Sequence, residues 1–318
     1  MSPSSISGGF EVAEEIAMQS KARHKRPRTG LKILLCLLPA LAIYTYVVVV
    51  PIFRAINLSM YKWSGGPHKV FAGWKNYSIL MRDTTFWNAF RNNIWITILC
   101  IIGQIGIAFI FSCLLNSRFI KMKSFHRCVS FFPSTVSAVV VGFVWMFMFN
   151  YNHGLINSIL RAVGLGKYAS AWLDNPNTII RVVSIPLIWQ YIGYYMVIIL
   201  AAMTSVDKSI YEVAELDGAS GWQRAIHITL PMIKDSLIVA VMLCISGNMK
   251  IFDHIYVMTN GGPGTSSMVM ALDIYKTTFI KNQFGYACAM SVMAMILSIA
   301  IVSVIRLLAA HPWKKGDV

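Results

Sequence analysis

Residues 212–231 read EVAELDGASGWQRAIHITLP and lie between two long apolar stretches of the chain. The segment holds three acidic residues, one arginine, two glycines and a closing proline. The flanking stretches, 182–203 and 236–258, are each long enough to cross a bilayer, which takes about 20 mostly apolar residues. A polar loop between two such spans predicts an element that meets something outside the membrane.

The composition is that of a polytopic membrane protein. Of the 318 residues, 56% are hydrophobic and 13% are charged, and the mean hydropathy is +0.60. Soluble proteins carry about 25% charged residues, so this chain could not cover a soluble surface. The formal net charge is +15. In a membrane protein, such an excess of lysine and arginine is typical of the loops that stay on the cytoplasmic side. That interpretation is favoured over nucleic-acid binding, and no nucleic-acid partner is expected.

Six apolar segments predict an all-α protein with six transmembrane helices. Pro39, Pro133 and Pro186 interrupt three of them, which membrane bundles tolerate where neighbours satisfy the freed backbone groups. The first segment is longer than a signal-peptide core and follows about thirty residues, so it is predicted to be a retained helix. The segments are 33–53, 94–114, 128–150, 182–203, 236–258 and 282–305.

The lysines and arginines predict the orientation. Sixteen lie in the two termini and in the loops after spans two and four, whereas eleven lie in the other three, longer loops. Loops dense in basic residues stay in the cytoplasm. The sequence therefore predicts a multi-pass plasma-membrane protein with both termini and the loop 204–235 in the cytoplasm. The loop 54–91 is itself fairly basic, which weakens this signal.

Catalytic and metal-binding motifs are missing from the sequence. The nearest approach to a phosphate-binding loop, GLGKY at 164–168, lacks the first glycine and the serine or threonine. The sequence has no H-E-x-x-H, no G-x-S-x-G and no C-x-x-C pair. We expect a non-catalytic chain with no metal and no cofactor of its own.

Charges inside the predicted spans are few. Lys250 and Asp253 are three apart in span five, so on a helix they would share a face. They are either a cavity-lining pair that meets a polar solute or a mutually neutralised structural pair. The scarcity of intramembrane acids argues against a carrier coupled to protons or sodium.

The polar loop is predicted to form two short helices joined by a sharp turn. Asp207 suits the N-cap of the first helix and Gly218 ends it. The predicted apolar face of the first helix comprises Ile210, Val213, Ala214 and Leu216, and that of the second comprises Trp222, Ala225 and Ile226. An amphipathic helix on the membrane surface is the alternative, but acidic residues in the loop would be repelled by anionic lipid. A helix that docks in a groove of a partner protein fits better.

The loop resembles the EAA loop of binding-protein-dependent ABC importer permeases. The pattern E-A-A-x-x-D-G-A followed by I-x-L-P is matched from Glu212 to Pro231, with Val213 in place of the second residue. FDHIYVMTNGGP at 252–263, followed by GYACAMSVMAMIL from Gly285, is similar to spans five and six of sugar permeases. GLINSILRAVGL at 154–165 and FAGWKNY at 71–77 are also similar to that branch. The resemblance covers about 31–310.

The resemblance implies a type I ABC importer permease fold and a division of the chain. It implies a basic N-terminal arm at 1–30, a first helix and outer loop at 31–90, a permease core at 91–308 and a tail at 309–318. The implied partners are a second permease subunit, two ATPase subunits that carry ATP and Mg²⁺, an external solute-binding protein and membrane lipid. The implied function is ATP-driven import of a sugar. A non-sugar solute such as glycerol phosphate, or a stand-alone secondary transporter, remains an alternative.

The resemblance and the residue types together predict two sets of site residues. The predicted ATPase-coupling residues are Glu212, Val213, Ala214, Asp217, Gly218, Ala219 and Arg224. The predicted substrate-binding residues are Ser134, Gln190, Tyr191, Tyr194, Asn248 and Lys250. Aromatic faces and paired hydrogen-bonding groups are what a sugar requires.

Overall fold

The computed structural model describes residues 29–117 and 120–310. Most of the predicted arm 1–30, nearly all of the tail 309–318 and Arg118 of the basic loop after span two lie outside the described residues. Tertiary contacts divide the chain into two units, residues 1–54 and 55–318. The sites described below lie in the second unit.

Helices make up nearly all of the regular structure. In chain order the elements are α1 (Thr29–Tyr44), a π-turn (Thr45–Val49), α2 (Val50–Leu58), β1 (Tyr61–Lys62), β2 (Val70–Phe71), α3 (Lys75–Leu80), α4 (Thr84–Cys100), a π-turn (Ile101–Gly106), α5 (Ile107–Asn116), α6 (Lys123–Phe131), a 3₁₀ turn (Phe132–Thr135), α7 (Ala138–Met148), α8 (Leu155–Ala162), a 3₁₀ turn (Gly166–Tyr168), α9 (Ile179–Thr204), α10 (Lys208–Leu216), α11 (Gly221–Arg224), a π-turn (Ala225–Thr229), α12 (Leu230–Met232), α13 (Lys234–Asn248), α14 (Asp253–Met258), α15 (Met270–Phe279) and α16 (Phe284–Ala310).

Four continuous helical stretches are long and apolar enough to cross a membrane. They are Ile33–Leu58, Thr84–Asn116, Ile179–Thr204 and Phe284–Ala309. Two further pairs of helices pass the same test but are bent, by 95° between α6 and α7 and by 77° between α11–α12 and α13. Counting each bent pair as one span gives six spans, the number that the sequence predicts, although the second pair begins inside the loop 204–235 and ends at Asn248 rather than at 258.

Helix α9 lies at the centre of the second unit. Its 26 residues extend about 39 Å at 1.5 Å per residue, which exceeds the hydrocarbon thickness of about 30 Å. It packs against α4, α5, α6 and α13 and buries Met196 and Ile199 completely or nearly so. At Gly193 the backbone of α9 meets the carbonyl group of Ser130, where a Cβ would collide. This close crossing holds the bent third span against α9.

Buried amide side chains of the Thr84–Asn116 stretch form hydrogen bonds with backbone groups of neighbouring segments at places where those segments are not helical. Asn92 donates from Nδ2 to the carbonyl oxygens of Ser266 and Met268, at 3.0 and 2.9 Å. Asn93 donates to the carbonyl oxygen of Asn248 at 2.9 Å, and its own Oδ1 accepts from the backbone N–H of Met270. Unpaired backbone groups cost several kcal/mol in an apolar medium, so these contacts stabilise the break that follows α13.

The loop after the first span forms a small antiparallel ribbon rather than a purely irregular connection. Strands β1 and β2 pair Tyr61 with Phe71 and Lys62 with Val70. The ribbon is attached to the start of α16, since the backbone N–H of Gly285 donates to the carbonyl oxygen of Trp63 at 3.1 Å. The all-α class therefore holds apart from these two short strands.

Candidate coupling loop and solute cavity

Helix α10 of the loop begins and ends as its sequence requires. The Asp207 carboxylate accepts a hydrogen bond from the backbone N–H of Ser209 at 2.9 Å, as an N-cap does. That bond lowers the pKa of Asp207. At the other end Gly218 has a φ of +78°, and the N–H of Ala219 reaches back to the carbonyl oxygen of Ala214 at 2.9 Å. Together these form a Schellman cap, which strongly favours glycine.

The second helix follows at once and is tied to the first. Ser220 and Gln223 form a reciprocal capping box at the start of α11. The Arg224 guanidinium donates to the Glu215 carboxylate at 3.0 Å, which joins the two helices. Ala225 lies 5% exposed on the inner side of the turn. The loop is therefore an ordered helix–turn–helix, as the sequence predicts.

The outer surface of the loop combines apolar and acidic side chains. Leu216 is 88% exposed, Trp222 63% and Val213 57%, and the Glu212 and Asp217 side chains are exposed beside them. Exposed large apolar side chains grouped in this way mark an interaction surface.

The apolar residues of α10 differ in their exposure. Ala214 is buried and Ile210 is partly buried, whereas Val213 and Leu216 are exposed. Successive residues are about 100° apart around a helix, so Ala214 and Leu216 lie on nearly opposite sides of it. The outward pair enlarges the surface available to a partner.

The fifth span is interrupted where its charged residues lie. Helix α13 ends at Asn248 and α14 begins at Asp253. Lys250 lies in the break, so it shares no helix face with Asp253, and among the described residues no ion pair joins them. Of the two alternatives left open by the sequence, the mutually neutralised pair is therefore not observed. Both side chains are exposed and both line one cavity.

This cavity has a volume of about 350 Å³ and lies where spans two, three, four and five meet. Four of the six predicted substrate residues line it: Tyr191, Tyr194, Asn248 and Lys250. The Asn248 Nδ2 donates to the carbonyl oxygen of Cys244 at 2.8 Å. Within the described residues its Oδ1 has no hydrogen-bond partner, which leaves an acceptor for a solute.

Gln190 is not in the lining of the cavity. It is 1% exposed, and its Nε2 donates to the carbonyl oxygen of Val136 at 2.9 Å. Its Oε1 faces Nε2 of His254 at 2.7 Å, so that nitrogen carries the proton. Gln190 thereby links α9 to the bent third span and to α14. This geometry gives it a positioning role between three elements.

Ser134 also lies away from the cavity lining. Ser134 is partly buried, and its hydroxyl donates to the carbonyl oxygen of Phe131 at 2.7 Å, at the junction of α6 and the 3₁₀ turn. A serine placed beside Pro133 satisfies a backbone group that the turn leaves free.

The structure adds lining residues that the sequence-based set omits. Gln104 lines the cavity from span two, and its Nε2 donates to the carbonyl oxygen of Leu187 at 2.9 Å. Phe252 and Asp253 line it from the break in span five, where Phe252 stacks on Tyr256 with ring centroids 5.1 Å apart. The signal for Gln104 was its isolation as an amide in an apolar span. Nothing in the sequence placed Phe252 at the cavity.

A family model matches residues 104–312, which include the loop and most of the cavity residues. Its description is "Binding-protein-dependent transport system inner membrane component". The chain belongs to this family. It is therefore a multi-pass membrane component of a transport system.

Named relatives cover most of this permease. It is 34% identical over 269 residues to the probable ABC transporter permease protein YurN of Bacillus subtilis, and the aligned region covers 84% of this chain and 92% of the relative. It is 32% identical to the diacetylchitobiose uptake system permease protein NgcF of Streptomyces coelicolor, covering 84% and 79%. It is 31% identical to the lactose transport system permease protein LacF of Rhizobium radiobacter, covering 87% and 93%.

Solved structures share the fold. A chain from the crystal structure of a bacterial ABC transporter involved in the import of the acidic polysaccharide alginate superposes with a TM-score of 0.77 at 21% identity. The match covers 90% of this permease and 98% of that chain. The predicted permease fold is confirmed.

Proposed function

We propose that this permease moves a sugar or short oligosaccharide through the cavity between spans two, three, four and five. The observation that carries the proposal is the lining of that cavity: tyrosine rings, an amide oxygen without a partner, and polar groups at a break in a membrane helix. Binding sites for small molecules combine apolar and aromatic walls with a few placed polar groups in volumes of about 300–1,000 Å³. Relatives named for diacetylchitobiose and lactose uptake support the same class of solute.

The charges of the cavity favour a neutral solute over glycerol phosphate. Lys250 and Asp253 contribute one positive and one negative group to the lining, and no other acidic, lysine or arginine side chain in the described part of the chain lines it. A phosphate ester carries close to two negative charges near neutral pH, and Asp253 would repel it. Hydroxyl groups of a sugar can pair with both charged side chains at once, because a carboxylate accepts hydrogen bonds and an ammonium group donates them.

The loop 204–235 is the element through which we propose that separate ATPase subunits drive transport. Its two helices are capped at both ends of the turn and joined by Arg224 and Glu215. An ordered element transmits a displacement that an irregular loop would absorb. Exposed Leu216 and Trp222 suit a groove on an ATPase subunit.

This proposal places the loop and both termini in the cytoplasm and an external solute-binding protein on the opposite side. A second, homologous permease subunit completes the pathway. ATP and Mg²⁺ belong to the ATPase subunits, and this chain supplies the passage and the coupling surface.

The test is purification of the assembled complex and its reconstitution in liposomes. Mass spectrometry of the complex should identify a second permease, ATPase chains and a bound sugar. Uptake of that sugar should require ATP on the side of the membrane where the ATPase subunits lie. It should also require the solute-binding protein on the opposite side. Uptake driven by a proton or sodium gradient without ATP would contradict the proposal. Uptake of glycerol phosphate in preference to any sugar would contradict the solute assignment.

A further inference from the structure

A second cleft lies at the end of the helical bundle opposite the coupling loop. It has a volume of about 610 Å³ and is walled by α4 from Asn88 to Leu99, the start of α9 and the segment around Pro263. Helix α9 enters the coupling loop only after Thr204, so its first turns lie about 35 Å from that loop along the helix. The cleft is therefore at the opposite membrane interface.

Two arginines give this cleft its charge. Arg91 of α4 and Arg181 of α9 both line it, and no acidic side chain of the described residues does. Within residues 29–117 and 120–310 the only ion pair is that of Arg224 with Glu215. The guanidinium groups of Arg91 and Arg181 therefore share a cleft with no protein counter-ion, which favours an anionic occupant. Amide groups of Asn88 and Asn177 also line it.

The helix face that carries Arg91 continues into the membrane. Trp95, Ile98 and Ile102 follow Arg91 at intervals of four, three and four residues, so all four share one face. They are 54%, 40% and 68% exposed. Gln104, which lines the solute cavity, lies on the other side of the same span and is 2% exposed. The cleft thus opens away from the solute cavity and onto an exposed apolar face of span two.

We propose that this cleft binds the phosphate group of an anionic phospholipid in the leaflet opposite the coupling loop. The planar fork of an arginine donates two parallel hydrogen bonds to a phosphate, and tryptophan is enriched at the level of the headgroups. The acyl chains of the same lipid lie along Ile98 and Ile102. An acidic sugar bound in the cleft would need a route into the solute cavity. Span two lies between the cleft and that cavity.

The lipid would act as a clip between two spans. Arg91 belongs to span two and Arg181 to span four, so the two guanidinium groups come from different helices. A phosphate bound by both guanidinium groups links those helices at the outer interface, where Asn92 already holds the segment of Ser266. This site is independent of the sugar assignment and of the ATPase docking surface.

The experiment compares lipid retention by the complete transporter in nanodiscs of phosphatidylcholine and phosphatidylglycerol. After gentle extraction, native mass spectrometry counts bound phosphatidylglycerol for the wild type and for Arg91→Gln/Arg181→Gln. The matched control is Lys75→Gln/Arg82→Gln, which removes two exposed charges just before α4 and outside the cleft. Each of the two arginines that contact the bound phosphate should contribute about fivefold to lipid binding, so the double variant should retain the lipid about 25-fold more weakly.

The control variant should retain lipid as the wild type does. Arg91→Lys/Arg181→Lys keeps both positive charges but loses the planar guanidinium fork, so its lipid retention should lie between those of the wild type and the glutamine variant. An intermediate value also shows that lower retention comes from weaker lipid binding and not from a failure to fold. Equal retention by the wild type and the glutamine variant would overturn the proposal. So would displacement of the lipid by millimolar inorganic phosphate, or equal preference for phosphatidylcholine. Loss of the external solute-binding protein with unchanged lipid retention would assign the cleft to a protein contact instead.

Discussion

Substitution of Gln190 distinguishes a solute ligand from a positioning residue. The sequence predicts that its amide meets the sugar, whereas the structure engages that amide with Val136 at 2.9 Å and with His254 at 2.7 Å. In Gln190→Ala the carbonyl group of Val136 and the Nε2–H of His254 lose their partner. Both lie in the region where α9, the bent third span and α14 meet.

The size of the effect follows from burial. Gln190 is 1% exposed and His254 is 3% exposed, so water cannot readily replace the missing amide. A buried polar group left unpaired costs about 1–3 kcal/mol, and two such groups give about 4 kcal/mol. At about 2–4 °C per kcal/mol for a chain of this size, the midpoint of thermal unfolding should fall by about 10 °C.

The assay follows thermal unfolding of the purified complex with a maleimide dye. After the exposed thiols have reacted, the further signal reports Cys100 and Cys244 as they lose their burial. Solute affinity and uptake are measured on the same variants. Asn248→Ala is the comparison, because the Asn248 side chain bonds only within its own helical turn and lines the cavity. We expect Asn248→Ala to weaken solute binding about tenfold, as loss of one good hydrogen bond does, with a midpoint within about 3 °C of the wild type. An unchanged midpoint for Gln190→Ala, with weakened solute affinity, would refute the positioning role.

Three further predictions concern coupling and topology. Gly218→Pro should leave the protein in the membrane but abolish uptake, because proline cannot adopt the φ of +78° at that position; normal ATP-driven uptake in liposomes would contradict this. Trp222→Ala should reduce co-purification of the ATPase subunits about tenfold, since exposed tryptophans dominate docking surfaces, and undiminished recovery would remove Trp222 from the interface. A thiol introduced at Gly164 should react with an impermeant maleimide added outside intact cells and one at Ser220 should not, whereas the opposite pattern would invert the topology.

The coupling loop shows how far local sequence rules reach. Its N-cap at Asp207 and the start of its second helix after Ser220 depend on side chains that bond to nearby backbone groups, and the end of its first helix depends on the left-handed backbone of Gly218. Interactions of this range can be predicted from a few adjacent residues. The outward placement of Leu216 could not, because it depends on which face of a nine-residue helix the rest of the protein covers.

The cavity depends more heavily on tertiary contacts. Tyr191, Tyr194 and Asn248 were predictable as polar or aromatic groups in apolar spans, and they do meet. Gln190 matches the same description, yet it is engaged by Val136 and His254, which are 54 and 64 residues away in sequence. Residue type gives the same signal for a group that faces a cavity and for one that satisfies a buried partner.

The sequence alone determined a helical membrane protein of about six spans with a helix–turn–helix between spans four and five, because hydrophobic run length and capping chemistry are local properties, and the resemblance of that loop to the EAA loop indicated a permease. The tertiary structure decided where spans three and five bend, that Lys250 and Asp253 lie apart at a break, and that Arg91 and Arg181 share a cleft. Those features depend on contacts between residues far apart in the chain, such as Asn93 with Asn248 and Gly193 with Ser130. No pattern within a single span predicts which neighbouring segment will bond to the backbone groups that a helix break leaves unpaired.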